Sequence, residues 1–510
     1  MGTQPRIEKP QVQETGIVIV GAGFGGLCMA IKLLEAGRRD FVILEKANDV
    51  GGTWHYNSYP GAACDVQSHM YSFSFEGKPD WSKRYPGWKE IQDYILATTE
   101  KYGVRPYCRF GEEVDSAHFD EKSARWTIGT KSGDTWVCRQ WVLASGPLHV
   151  PSIPAIKGLE KFQGKVFHSA QWDHGYDLKG KNVVSIGTGG SAIQYCPEIA
   201  PQVKQLYVFQ RTPAWVIPRD ERGYPEFEKK LYARVPLLRK LHRARLYWTN
   251  EARVWPMFNP ALARGLQQLA KLFIRYQVRD PALQEKLTPD YTIGCKRVLI
   301  SNKWFPMFNR ANVELVTEGI REIRENSVVT KDGVERPADC IILGTGFVVD
   351  PRIYMRSFPV TGLAGRELNR DWKEIPEAYY GTTVSGYPNM FQLVGPNTGL
   401  GHNSIIFMIE SQVHYVMECL RLLEAKKADW LDVTPEAQAD FNAQIQRNLQ
   451  GTVWASGCSS WYQQDDGRNA TLWPYSTWKF WLRTRQVRTE HYRFVKAARV
   501  SALKKAETTA

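Results

Sequence analysis

The chain has 510 residues, a net charge of +13 and a hydrophobic fraction of 43%. At about 150 residues per domain this corresponds to about three domain-sized units, enough to bury several cores without a disulfide or structural metal. The near-average composition excludes a disordered or fibrous chain, and 18 tryptophans fit either core packing or an aromatic-lined ligand pocket.

The basic balance favours anionic partners, but no basic run carries a nucleic-acid motif, so nucleic acid is not expected. The excess is concentrated between Lys229 and Arg279. Nine scattered cysteines without a C-x-x-C pair point to a reducing compartment and argue against a zinc or disulfide framework. The polar start lacks an apolar signal core. The run Ile405 to Leu423 is broken by Glu410, Gln412, His414 and Glu418, so it reads as a buried helix. A cytoplasmic protein with no stable membrane insertion is expected.

In chain order, the strand Ile17 to Val20 leads into Gly21-Ala22-Gly23-Phe24-Gly25-Gly26, a G-x-G-x-x-G turn that opens a helix. Glycines there permit the tight turn and close approach of a pyrophosphate to helix amides. The next strand, Phe41 to Leu44, ends in Glu45, nineteen residues after Gly26. A carboxylate at that offset accepts from ribose hydroxyls and repels a 2′-phosphate, which selects FAD or NAD over NADP. A helix near Trp88 to Lys101 and a β-leaning stretch from Cys108 to Val142 follow. The proline-punctuated segment Ser145 to Pro154 marks a domain crossing.

A second strand, Val183 to Ile186, leads into Gly187-Thr188-Gly189-Gly190-Ser191-Ala192, the G-x-G-x-x-A form. Nineteen residues after Ala192, beyond the strand Leu206 to Phe209, stands Arg211. A guanidinium in place of the acid fits a 2′-phosphate, so this turn is expected to take NADPH. Together the two turns imply a flavoprotein reduced by NADPH. A disulfide reductase is set aside because it needs a redox-active cysteine pair.

From about Tyr224 to Leu287 the chain has helical spacing and reads as an insertion, in which Leu231, Val235, Leu238 and Leu241 are expected to pack against the rest of the molecule. Strands are expected at Thr292 to Ser301, Val313 to Val316, Cys340 to Leu343 and Met390 to Val394. A long helix spans about Ser404 to Ala425, and the tail after about Lys496 is expected to fray. The resulting fold is α/β, two nested Rossmann-like dinucleotide-binding domains for FAD and NADPH with a helical insertion. The expected boundaries are 1–147 and 379–510 for the FAD domain, 148–220 and 292–378 for the NADPH domain, and 221–291 for the insertion.

The stretch Phe162-Gln163-Gly164-Lys165-Val166-Phe167-His168-Ser169-Ala170-Gln171-Trp172-Asp173 matches F-x-G-x-x-x-H-x-x-x-W-[PD]. With it the sequence resembles the Baeyer–Villiger monooxygenases, the ketone-oxidising branch of the class B flavin monooxygenases. Gly51-Gly52-Thr53-Trp54 running to Tyr59-Pro60-Gly61 and Asp65 is similar to that family's second signature. Cys295 to Leu299 resembles its K-R strand, and Leu343 to Gly346 with Gly395-Pro396-Asn397 its returning flavin contacts.

The resemblance implies conversion of ketones, linear aliphatic ones in the first place, to esters or lactones with NADPH and O2 through a C4a-peroxyflavin. It makes Arg297 and Asp65 the catalytic pair, and Arg211, Thr212 and Lys296 the clamp on the NADPH 2′-phosphate. Gly164, His168 and Trp172 would couple the two nucleotide domains. Lys296 and Arg297, as neighbours on a strand, would face opposite sides and serve different anions. Further cofactor contacts are expected from Phe24, Lys46, Gly52, Thr53, Trp54, Tyr71, Val114, Ser191, Gln194, Gly395 and Asn397. The aromatic-rich stretch Gly451 to Trp478 offers Trp461, Trp473 and Tyr475 as pocket-lining residues. An N- or S-oxygenating flavin monooxygenase is the alternative in the same class. A protein docking its basic insertion to lipid or nucleic acid is the alternative from another class. No metal site is expected, and the oligomeric state is open.

Overall fold

The computed structural model describes residues 11–455, 462 and 466–497. Two parallel-stranded sheets organise it. In the first, the strand Val12–Val20 lies between the parallel strands Phe41–Glu45 and Thr135–Leu143. Its apolar end, Ile17 to Val20, is sealed by the helix Phe24–Glu35, which buries nine of its twelve residues. A burial pattern this continuous requires cover on both faces, as a parallel sheet has. The antiparallel strands Val114–Asp120 and Arg125–Thr130 extend one side, and Met390–Gln392 returns to pair with Thr135–Leu143.

The second sheet runs in the order Val313–Val316, Gln205–Phe209, Asn182–Ile186, Cys340–Leu343, Lys165–His168, all parallel. It is inserted between strands of the first. The chain is already back in the first sheet at Val360–Thr361, which pairs with Ala117–His118, well ahead of position 379.

Five helices between Glu226 and Leu287 form the insertion. Its polar anchor is Glu251, which accepts from the Thr477 hydroxyl (2.6 Å) and amide (3.0 Å) and from Asn403 Nδ2 (2.7 Å). Burial alone would raise this carboxyl's pKa, but the hydrogen bonds from His402, Thr477 and Asn403 outweigh it and hold it below the usual value. The helix Ile405–Ala425 packs on Phe24–Glu35 and Thr477–Arg483, with Gln412 fully buried. It is the buried helix expected. No helix among the described residues is long and apolar enough to cross a membrane.

Three expectations need correction. Between Thr292 and Ser301 only Leu299–Ile300 is strand, because the one pairing available is with Val216–Ile217. Leu231, Val235, Leu238 and Leu241 do not pack inward; all four are exposed. Seven cysteines are free and buried, but Cys295 is disulfide-bonded. The tail from residue 498 lies outside the described residues.

Candidate active site

The first glycine turn has the geometry of a phosphate cradle. Gly21 has φ +102°, and a Cβ there would stand 2.7 Å from the Ala144 carbonyl oxygen. A Cβ on Gly26 would strike the Gly21 carbonyl. Gly23 caps the helix without a side-chain hydrogen bond, leaving first-turn amides free for an anion. Gly52 closes over the turn, a Cβ on it being 3.0 Å from Gly23 Cα. Side-chain-free backbone on both sides leaves the room a pyrophosphate needs.

Glu45 is buried, and its two oxygens accept from the amides of Ala22 (2.7 Å) and Ala47 (2.8 Å). It therefore fixes the turn as well as standing where a ribose would lie. Phe24 is not open to a ligand; it packs edge-on against Tyr71 and Phe73 in the core. Trp54 donates from Nε1 to the Tyr71 hydroxyl at 3.1 Å. Thr53 begins the short helix Thr53–Tyr56. Lys46 is exposed, its Nζ 5.6 Å from the Tyr56 ring centre, and Val114 opens an outer strand of the same sheet.

At the second turn Gly187 has φ +109°, and a Cβ would strike the Gly344 carbonyl. A Cβ on Gly189 would meet nothing within 4 Å, so this turn faces open space. Thr188 Oγ1 donates to the Thr212 carbonyl at 3.2 Å, tying the turn to the segment that carries Arg211. Ser191 precedes the helix Ala192–Ile199 without capping it, and Ala192 is fully buried beneath. Lys296 and Arg211 lie within electrostatic reach. Burial first, then Arg211, lowers the Lys296 pKa. Neither cation makes an ion pair among the described residues. Asp290 opposes the shift from within electrostatic reach but pairs with neither, so the two cations stay available to a multiply charged anion.

The two units meet across the motif Tyr59-Pro60-Gly61. Gly61 has φ +76° and sits so close to the helix Ala192–Ile199 that a Cβ would be 2.7 Å from the Gln194 carbonyl. The Gln194 side chain accepts from the Tyr59 hydroxyl (3.0 Å) and donates to the Ala63 carbonyl (2.9 Å). Gln194 thus joins the units rather than facing a cofactor. Trp172 packs on Phe167, Tyr195 and Tyr59 at the same seam.

The rest of the fingerprint is also structural in its contacts. His168 accepts from the Ala170 amide (3.1 Å) at Nδ1 and donates from Nε2 to the Gly346 carbonyl (2.9 Å). Burial lowers its pKa, and the Gly346 carbonyl opposes that. Gly164 leaves no room for a Cβ beside the Asp339 carbonyl and the Phe162 ring. Asp173 pairs with Lys165 at 2.5 Å.

Past this seam stands Asp65, whose Oδ2 accepts from Arg297 Nε (3.1 Å) and Nη2 (2.5 Å). Lys296 and Arg297 are in a bend ahead of Leu299–Ile300, not on a strand, yet they still diverge, one to Arg211 and the other to Asp65. Arg297 keeps 44% of its side chain open beside Asp65, so the guanidinium is within reach of a ligand. Asp65 raises its already high pKa, so the cation is permanent.

Tyr462 is a neighbour of the pair that the sequence did not point to. It is buried within electrostatic reach of Arg297 and Asp65, and burial pushes its pKa to about 12. Trp461 lies outside the described residues. Trp473 is sealed in the core against Phe480 and Tyr475 instead of lining an open pocket. Asn397, with φ +56°, donates to the carbonyls of Asn469 (2.7 Å) and Leu472 (3.2 Å), so it pins the C-terminal segment. Gly395 lies so close to Gly381 that a Cβ would strike its carbonyl. A surface hollow of about 560 Å³ near Lys157 and Glu322 lies beside the second sheet and shares none of these residues. No metal-holding group of side chains occurs among the described residues.

Two dinucleotide cradles meeting at a seam, with a fixed arginine–carboxylate pair beside it, define a two-nucleotide oxidoreductase. The profile of the flavin-binding monooxygenase-like family matches residues 14–359. A Baeyer–Villiger monooxygenase of Pseudomonas aeruginosa is 46% identical over 96% of this chain and 93% of its own. One of Streptomyces coelicolor is 44% identical over 96% and 95%. Among solved structures, an oxidised steroid monooxygenase bound to NADP superposes with a TM-score of 0.86 at 30% identity, over 95% of this chain and all of that one. Cyclohexanone monooxygenase from Rhodococcus sp. Phi1 bound to NADP+ gives 0.86 at 27%, over 96% and 100%. The chain belongs to the Baeyer–Villiger monooxygenases of the flavin-binding monooxygenase-like family.

Proposed function

We propose that this enzyme converts ketones, linear aliphatic ones in the first place, into esters or lactones with NADPH and O2 by the peroxyflavin route. FAD and NADPH are its cofactors. The observation that carries the reading is the Arg297–Asp65 ion pair, which stands just past the seam between the two dinucleotide cradles.

The first turn would hold FAD, with the amides after Gly23 available to its pyrophosphate and Glu45 to its ribose. NADPH belongs at the second, with Lys296 and Arg211 on the 2′-phosphate. When bound, the flavin supplies the reduced, oxygen-reactive centre; the chain supplies the charge around it. Attack on a ketone builds negative charge on oxygen, and a preorganised cation stabilises that charge without waiting for solvent to reorient. Arg297 is that cation, because it cannot give up its proton at working pH. Asp65 orients the guanidinium through Nε and Nη2, leaving Nη1 for the reacting oxygen. Seven buried free thiols among the described residues support a cytoplasmic setting, against which stands the one disulfide at Cys295.

The test supplies linear, cyclic and aryl ketones, a thioether and an amine separately, and measures oxygenated product against NADPH consumed. Esters from linear ketones are expected. Efficient amine hydroxylation with no ketone converted would establish an N-oxygenating enzyme instead.

A further inference from the structure

Between Lys229 and Arg279 the chain carries twelve Lys and Arg residues against a single carboxylate, Glu251. Glu251 is buried in hydrogen bonds to Asn403 and Thr477 and neutralises none of the surface. Lys229 pairs with Glu226 and Arg243 donates inward to the His69 carbonyl, which leaves ten cations facing outward or half-exposed without a carboxylate of this stretch. The two long helices there are amphipathic in an unusual sense. Each packs one apolar stripe inward, with Leu246 and Tyr247 on the first and Phe273 and Ile274 on the second, and carries a second row of large apolar side chains outward.

In Pro236–Ala252 the residues Leu237, Leu241 and Trp248 share one face by their spacing, opposite the buried Leu246 and Asn250. Leu241 is 56% and Trp248 59% exposed. In Pro260–Gln277 the residues Leu262, Leu269 and Tyr276 share a face turned about a third of the way round from the buried Ala263, Ala270 and Ile274, with Leu269 at 64% and Tyr276 at 85% exposed. Basic side chains flank both faces, Lys240 and Arg245 on the first helix, Arg264, Lys271 and Arg275 on the second. Single exposed leucines are ordinary, but rows of them on successive helices are not.

We propose that this insertion docks the enzyme peripherally on an anionic lipid surface, with the helices lying in the plane of the bilayer. Leucine, tryptophan and tyrosine in a row, bordered by Lys and Arg, are what such a surface selects: apolar side chains enter the acyl boundary while cations meet lipid phosphates. A second copy of this chain is disfavoured because its own basic face would be brought against this one. Nucleic acid would engage the cations but gains nothing from exposed leucines. The contact is peripheral, since neither helix is apolar enough to span. Docking goes beyond the proposed oxygenation and would hold the active site where apolar molecules concentrate.

The test is flotation of the full-length holoenzyme with vesicles of phosphatidylcholine alone or of equimolar phosphatidylglycerol and phosphatidylcholine, at about 0.1 M salt. Retention on the anionic vesicles only is expected. The variant L241S/W248S/L269S is expected to lower the retained fraction at least about tenfold. Its melting temperature and its NADPH oxidation in solution are expected to stay unchanged. The charge reversal K240E/R264E/R275E, which leaves every apolar residue in place, is expected to do the same. No retention, equal retention on neutral vesicles, or retention unmoved by both variants would overturn the proposal. So would preferential capture of an oligonucleotide, or a dimer in sedimentation that the serine variant breaks.

Discussion

The guanidinium of Arg297 donates twice to one oxygen of Asp65, at 3.1 and 2.5 Å, across a sequence separation of 232 residues. The pair joins the loop after the first unit's second glycine motif to the segment that leaves the helical insertion.

Asp65→Asn keeps the shape but removes the charge that orients Arg297. A mispositioned guanidinium loses part of its stabilisation of the oxyanion, so ester formation is expected to fall about tenfold or more. NADPH binding, measured by titration, is expected to stay near the parent's because Lys296 and Arg211 are untouched.

Removing either cation of the Lys296–Arg211 pair is expected to act on the other substrate. Arg211→Ala should raise KM for NADPH at least about tenfold, about 1.4 kcal/mol, while leaving KM for NADH nearly constant. The ratio of the two kcat/KM values is the readout. An unchanged NADPH preference would remove Arg211 from the 2′-phosphate site.

The two glycine turns separate by substitution. Gly187→Ala drives a Cβ into the Gly344 carbonyl at φ +109°, so NADPH-dependent reduction is expected to be lost while the protein still purifies with flavin. Gly26→Ala meets the Gly21 carbonyl, and the expected outcome is loss of flavin. Flavin absorbance of the purified variants reads both.

His69 gives the pH dependence. It is buried with Tyr224, Tyr232 and His242 around its ring and, among the described residues, no partner for Nε2. Burial, aided by His242 and nearby cations, pulls its pKa from 6.5 to about 3. Between those values the unfolded chain takes a proton that the folded one refuses, so stability falls as pH drops below 6.5 and stops falling from this cause near 3. His69→Phe keeps the ring packing without the proton. Its melting temperature is expected to fall less than the parent's between pH 7.5 and 5.

Much of this was legible in the sequence because it rests on local backbone rules. The turns at Gly21 and Gly187 announce themselves, since only glycine tolerates those angles so near another carbonyl. Spacing then set Glu45 apart from Arg211. Side chains whose role depends on what folds against them were not legible. Gln194 reads as part of a nucleotide turn, but its amide is taken by Tyr59 and Ala63 from the other unit. Trp473 reads as a pocket residue and is core. The leucines of the insertion carry the spacing of packed helices, and periodicity does not say whether an apolar stripe faces a core or an outside partner.

The central claim is that Arg297 stabilises the oxygen-transfer step and not the reduction step. The most direct measurement is Arg297→Ala with NADPH, O2 and a linear ketone, recording flavin reduction by stopped flow and ester by product analysis. Reduction with NADPH is expected to persist, with ester formation falling at least about a hundredfold, the cost of losing about 2.7–4 kcal/mol of oxyanion stabilisation. Ester formation near the parent's rate would contradict the account.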